Sequence, residues 1–316
     1  MTLPQVELWM EVEPSCNLHC QFCYNWWREG HKPSPLRLST GELLAGLRDL
    51  SRNVQYTSVT LSGGEPLLRD DLGVIVEFFS AQSVSVILAT NGILLSQSRI
   101  YELNNLGVGT FQLPLHSTSE DMHDQLAGGR SWRRALEALV DIREAGAKAV
   151  VVFVATNLNI SGFPRVVALC GALGLSDIIF NRLIPSGMAA RSQSYLGVPG
   201  DQEISDILFQ ADSIAREAHL TIHLGVPVAV DPEIQAKMTS VLPASCPISR
   251  GQRRWTIGAD GTIRRCSHAE KAIGTILDGG LRHLLDELLV QIPYSRGDHV
   301  NCCHIISANL VRLGKN

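Results

Sequence analysis

Six short runs dominated by Val, Ile, Leu and Thr, at 6–12, 56–61, 84–89, 109–115, 148–155 and 177–183, limit what this chain can fold into. Between them lie longer stretches with helical spacing, near 39–51, 70–80, 96–105, 131–145 and 161–173. The runs are apolar on both faces, as in Val150-Val151-Val152-Phe153-Val154. That is the pattern of parallel strands covered by crossover helices. Six βα units predict an α/β domain, either an open doubly wound sheet or a barrel. Both architectures place ligands at the carboxyl ends of the strands. Ser39-Thr40 ahead of Glu42, and Ser131 ahead of Trp132, mark helix starts.

Beyond about residue 185 the character changes. Pro185, Gly187, Gly197, Pro199 and Gly200 predict an irregular connection, followed by a helix over 202–218. Two short runs, 253–257 and 262–266, flank Ala259-Asp260-Gly261 and read as a β-hairpin. Short helices are expected at 281–291 and 304–312. Such a tail is expected to bury little core, so a metal site is the predicted staple. With 45% hydrophobic and 18% charged residues the chain can build a core and is not a disordered one. A net charge of −4 argues against bulk electrostatic affinity for nucleic acid. The longest apolar stretch, Ala147–Ala155, is too short to span a membrane, and no secretory signal opens the chain, so a cytoplasmic protein is expected.

Eight cysteines in 316 residues are too sparse for a disulfide scaffold, but they are grouped. Cys16, Cys20 and Cys23 follow the first strand with C-x3-C-x2-C spacing. Three thiolates on one loop can hold three irons of a [4Fe–4S] cubane and leave the fourth without a protein ligand. A zinc site completed by His19, or three incidental buried thiols, is the alternative. An aromatic residue, Tyr24, follows directly, and Ser62-Gly63-Gly64-Glu65-Pro66 closes the second strand.

These motifs resemble those of the radical S-adenosylmethionine (radical SAM) superfamily, and the resemblance covers most of the chain. It implies a partial (β/α)6 barrel of parallel strands. The Gly-Gly-Glu-Pro turn, Gly63 to Pro66, would bring backbone to the methionyl amine of SAM, with Glu65 adding negative charge near that ammonium. Tyr24 and Asn91, the latter in Thr90-Asn91-Gly92, would join the SAM site. Ser117 and Asn157 would reach the carboxylate or ribose, and Arg182 the adenine or methionyl end. His116 stands where the family more often has Asp or Ser and is expected on the substrate side. His123 and Asp124 are expected to start or cap a helix, and Cys170 to be inert core. Trp26, Trp27 and Arg28 would line a pocket or pack against the tail. The resemblance implies that SAM, bound to the open iron, yields a 5′-deoxyadenosyl radical that removes a hydrogen atom from the substrate.

Cys246, Cys266, Cys302 and Cys303 form a second set. The stretch from Cys246 to His268 resembles the SPASM/twitch extension of many radical SAM enzymes, which implies an auxiliary [4Fe–4S] cluster on Cys246, Cys266 and Cys302. Adjacent side chains diverge, so one of Cys302 and Cys303 is expected to ligate iron and the other to face the substrate as a hydrogen-atom donor. The expected division is 1–190 for the barrel core, 191–235 for a connecting helix and strand, and 236–316 for the auxiliary cluster. Epimerisation of a peptide or a sugar or aminocyclitol natural product is the expected reaction, with dehydrogenation or cross-linking as the alternative. With the cluster loop starting at Cys16, no N-terminal peptide-recognition domain is expected. A flavodoxin or ferredoxin would supply electrons. A non-catalytic zinc protein or an iron–sulfur electron carrier is the competing class.

Overall fold

The computed structural model of the chain describes residues 3–29, 35–226, 228, 230–243 and 254–277. Cys246, Cys302, Cys303 and the short helices expected at 281–291 and 304–312 lie outside the described residues.

All six predicted βα strands form, as β1 (Gln5–Glu13), β2 (Gln55–Gly63), β3 (Ser85–Ala89), β4 (Val108–Pro114), β5 (Lys148–Ala155) and β6 (Asp177–Arg182). The helices between them are α1 (Thr40–Ser51), α2 (Leu72–Ser80), α3 (Gln97–Leu106), α4 (Glu120–Ala127), α5 (Trp132–Glu144) and α6 (Phe163–Ala172). α1 begins at the expected signal: Ser39 and Glu42 close a reciprocal capping box. α4 was not expected as an element. Asp124 lies inside it, yet its carboxylate accepts the Ser131 and Trp132 N–H groups at 2.9 and 2.8 Å and so caps α5.

The strands β1 to β6 follow one another in the sheet in chain order, all parallel. A doubly wound sheet reverses its strand order, and this one does not, so the winding is the single-direction kind found in barrels. Leu47, Leu50, Ile75 and Phe79 of the helices meet Leu8, Met10, Val59 and Leu61 of the strands in one core. Each such side chain, once fully buried, contributes about 1.5–3 kcal/mol. Alternate residues of β1, namely Glu7, Trp9, Glu11 and Glu13, take the opposite face by the two-residue period of a strand.

After β6 the chain is more regular than expected. α7 (Met188–Leu196) occupies the stretch read as irregular, because Gly187 and Gly197 bracket a helix instead of a loop. Then come α8 (Asp201–Glu217), β7 (Thr221–Leu224), α9 (Pro232–Gln235) and β8 (Val241–Leu242). The hairpin forms as β9 (Arg254–Ile257) and β10 (Thr262–Arg264), followed by β11 (Gly274–Thr275). It does not stand apart. β9 pairs in parallel with β1, and the sheet runs β11-β10-β9-β1-β2-β3-β4-β5-β6-β7-β8. Trp255, Ile257, Ile263 and Ile276 join the main core, so this part of the tail buries apolar surface that the sequence reading did not grant it.

Candidate active site

The loop carrying Cys16, Cys20 and Cys23 leaves the carboxyl end of β1 and is clamped by backbone. From the turn after β2, the Gly64 N–H donates to Glu13 O at 2.6 Å and the Glu65 N–H to Ser15 O at 2.8 Å. Asn25 returns the contact, its Nδ2 donating to Gly63 O at 2.6 Å. A Cβ on Gly64 would sit 2.1 Å from Ser15 O, and one on Gly63, which has φ of +129°, 2.4 Å from Glu13 O. The glycines therefore permit close approach of the chain's own cysteine loop. Further contacts come from the last turn of α4, where Leu126 O accepts the Gln21 N–H at 3.0 Å, and from α7, where the Ala189 N–H donates to Cys23 O at 3.2 Å.

Glu65 is buried, and burial raises its pKa. Its carboxylate accepts from Thr90 Oγ1 at 2.6 Å, the Asn91 N–H at 2.8 Å and the Leu67 N–H at 3.1 Å. It ties the β2 turn to the end of β3, a task that the expected contact with an ammonium did not anticipate. Asn91 continues the link, its Nδ2 donating to Asn17 Oδ1 in the cysteine loop at 2.6 Å.

The three thiols lie within one another's electrostatic reach, and burial raises the pKa of each. Thiolates gathered in a desolvated loop require compensating positive charge, which polynuclear iron supplies. The Leu18 N–H points at Cys16 Sγ at 3.5 Å, and a backbone N–H from Asn25 favours the Cys23 thiolate. Among the described residues no three His, Cys, Asp or Glu side chains converge closely enough to hold a single metal ion. A tetrahedral zinc, at about 2.3 Å per Zn–S bond, needs that convergence, whereas ligands on separate corners of a cubane do not. Three thiolate donors on one short loop fit a [4Fe–4S] group.

The other predicted residues divide into two groups. Tyr24 lies over the face of β1 opposite the helices, its hydroxyl accepting from Trp9 Nε1 at 3.0 Å. Ser117 accepts the Ser119 N–H at 3.0 Å, a local turn contact, and exposed Asn157 packs against Gly197 after α7. Arg182 is buried and turns toward the helix layer, where Nη1 pairs with Asp201 at the start of α8 at 2.9 Å. His116 is buried on the edge of Phe22, with ring centroids 4.3 Å apart. Its Nδ1 accepts the Val154 N–H at 3.2 Å, and burial holds its pKa well below the usual histidine value. Cys170 is core, as expected.

Three residues escaped the sequence reading, Glu11, Arg264 and His268. Glu11 of β1 and Arg264 of β10 form a fully buried ion pair. Arg264 Nη1 also donates to Ala269 O at 3.0 Å, holding the segment that carries Cys266. In that segment His268 packs on Tyr24 at 5.0 Å and bonds Ser186 Oγ at 3.0 Å. Arg28, expected to line a pocket or pack against the tail, instead donates to Leu18 O inside the cysteine loop. Trp27, by contrast, is packing, with its indole N–H on Pro14 O at 3.2 Å. Only the Cys-to-His spacing near 266 offered a sequence signal for any of these.

The family model "Radical SAM superfamily" matches residues 10–169, half of the chain, and the chain belongs to that superfamily. Its members use a [4Fe–4S] cluster and SAM, and this chain is an enzyme of that class. An AdoMet-dependent heme synthase of Oleidesulfovibrio alaskensis is 27% identical over 57% of this chain, which spans 46% of that relative's length. A probable GTP 3′,8-cyclase of Saccharolobus islandicus is 25% identical over 87% of each chain. In fold the chain is similar to Streptococcus suis SuiB bound to its precursor peptide SuiA, with a TM-score of 0.70 and 17% identity, covering 94% of this chain and 68% of that one. It is also similar to anSMEcpe with bound AdoMet and a peptide, with a TM-score of 0.67 and 14% identity over 90% and 80% of the two chains. Among the described residues no helix is long and apolar enough to cross a membrane.

Proposed function

We propose that this chain cleaves SAM reductively at a [4Fe–4S] cluster held by Cys16, Cys20 and Cys23, and that the net reaction is epimerisation of a peptide or a small sugar-like natural product. The observation that carries the first part is the cysteine loop clamped by the Gly63-Gly64 turn. When bound, cluster and SAM together supply a carbon radical strong enough to take a hydrogen atom from an unactivated carbon. The chain's own residues hold and orient. The Gly63–Glu65 turn and Asn91 form the wall beside the cysteine loop that receives the methionyl end, and Tyr24 closes the substrate side. Ser117 and Asn157 reach the carboxylate or ribose, and Arg182, whose Nε–H has no protein partner among the described residues, would serve the adenine or methionyl end.

The adjacent thiols Cys302 and Cys303 support epimerisation. One would return a hydrogen atom to the opposite face of the substrate radical, and the resulting thiyl would be restored by an electron and a proton. Cys246, Cys266 and Cys302 would hold an auxiliary cluster in a SPASM/twitch-like region, 236–316, joined through 191–235 to the radical-generating core, 1–190. A peptide substrate is favoured by the peptide-bound SuiB and anSMEcpe neighbours, and a flavodoxin or ferredoxin is the proposed electron source. A second reading, net oxidation, is favoured by Arg264's hold on the Cys266 segment beside Tyr24, which would set an electron acceptor close to the substrate. Incubation with candidate peptides in heavy water separates them. Epimerisation gives product with one solvent deuterium on carbon, and oxidation gives product lighter by two hydrogens.

A further inference from the structure

Crowding thiolates onto one short loop creates a charge problem that neighbouring residues must answer. Three features set Arg28 apart here. First, its backbone is fixed: it lies in the 3-10 turn Trp26–Glu29, anchored by Trp27 on Pro14 O and by Asn25 on Gly63 O. Second, its Nη2 donates to Leu18 O, midway between Cys16 and Cys20, while the Leu18 N–H is the group aimed at Cys16 Sγ. Third, the guanidinium stands within electrostatic reach of Cys16, Cys20 and Cys23 together. The carboxylates nearby act in the opposite sense, Glu65 on Cys16 and Glu11 on Cys23.

We propose that Arg28 is a positioning residue for the thiolate cage whose fixed positive charge raises the reduction potential of the cluster bound there. This rests on the proposed function. Reduction adds one electron and no proton to a group already surrounded by thiolates, so a nearby cation stabilises the reduced form more than the oxidised one. A guanidinium suits the task because it is always charged and can brace a carbonyl while facing sulfur.

The test uses the full chain with its cluster reconstituted without oxygen, and reads the midpoint potential by EPR-monitored titration in the absence of SAM. Arg28→Gln keeps a donor for Leu18 O and removes the charge, whereas Arg28→Lys keeps the charge and loses the planar fork. At a fixed potential the Gln variant is expected to show about a tenfold lower ratio of reduced to oxidised cluster, about 59 mV for a one-electron couple. The Lys variant is expected to stay within about threefold of the parent on the same scale. A cluster lost from the Gln variant and retained by the Lys variant supports the same assignment. An unchanged potential in the Gln variant, a shift in the Lys variant alone, or loss of the cluster from both overturns it. A parent chain that holds no SAM-responsive cluster overturns the proposed function, and this assignment with it.

Discussion

The two described cysteine segments are held in contrasting ways. The loop from Cys16 to Cys23 is held chiefly by backbone amides, those of Gly64 and Glu65 on Glu13 O and Ser15 O just before it and that of Ala189 on Cys23 O, with glycines where a Cβ would collide. The segment beyond Cys266 is fixed by side chains, through Arg264, which reaches Glu11 on β1, and through His268 on Tyr24 and Ser186. A hydrogen bond from a backbone amide does not depend on ionisation. A buried charge pair makes the placement of Cys266 depend on both partners being present, and on pH.

The largest expected effect falls on the side-chain arrangement. Arg264→Ala strands the Glu11 carboxylate, both residues being essentially unexposed, and should lower stability by about 3–5 kcal/mol in denaturant unfolding. A loss under about 1 kcal/mol would mean the pair does not hold the hairpin. For the backbone clamp, Gly64→Ala places a Cβ 2.1 Å from Ser15 O and should cost about 1–3 kcal/mol, with reduced iron content after reconstitution. Gly41→Ala, whose Cβ meets nothing within 4 Å, serves as the control and should change stability by less than about 1 kcal/mol. Equal effects from the two would dissolve the clamp.

A further effect separates the segments by pH. Burial pushes the Glu11 carboxyl from 4.5 up to about 7, against the attraction of Arg264. Folding therefore favours the protonated form. That contribution is full below about pH 4.5 and is lost as pH rises through about 7. Stability should fall across this window by at most about 1.4 kcal/mol per pH unit, and Glu11→Gln should remove that component. An identical slope in the variant would place the titration elsewhere.

The same contrast explains what the sequence made legible. Cysteine spacing and the Gly-Gly turn are local, and local backbone geometry leaves a residue signature; β1 to β6 were readable from their apolar runs for the same reason. Glu11 and Arg264 lie far apart in the chain, and nothing in either neighbourhood announces the partner. Glu65 looked like a ligand contact because its motif is familiar, yet three protein donors occupy its carboxylate. α7 was hidden by its bracketing glycines, which read as loop signals but act as helix ends.

On the proposed reading a three-thiolate cage leaves one iron open. EPR of the reduced, anaerobically reconstituted chain, recorded before and after addition of SAM, tests for that open iron. A [4Fe–4S] signal that SAM perturbs, and that disappears when Cys16, Cys20 and Cys23 are all changed to Ala, is the predicted result. The absence of any SAM-responsive signal, or a SAM-responsive signal that persists in that triple variant, would contradict this reading.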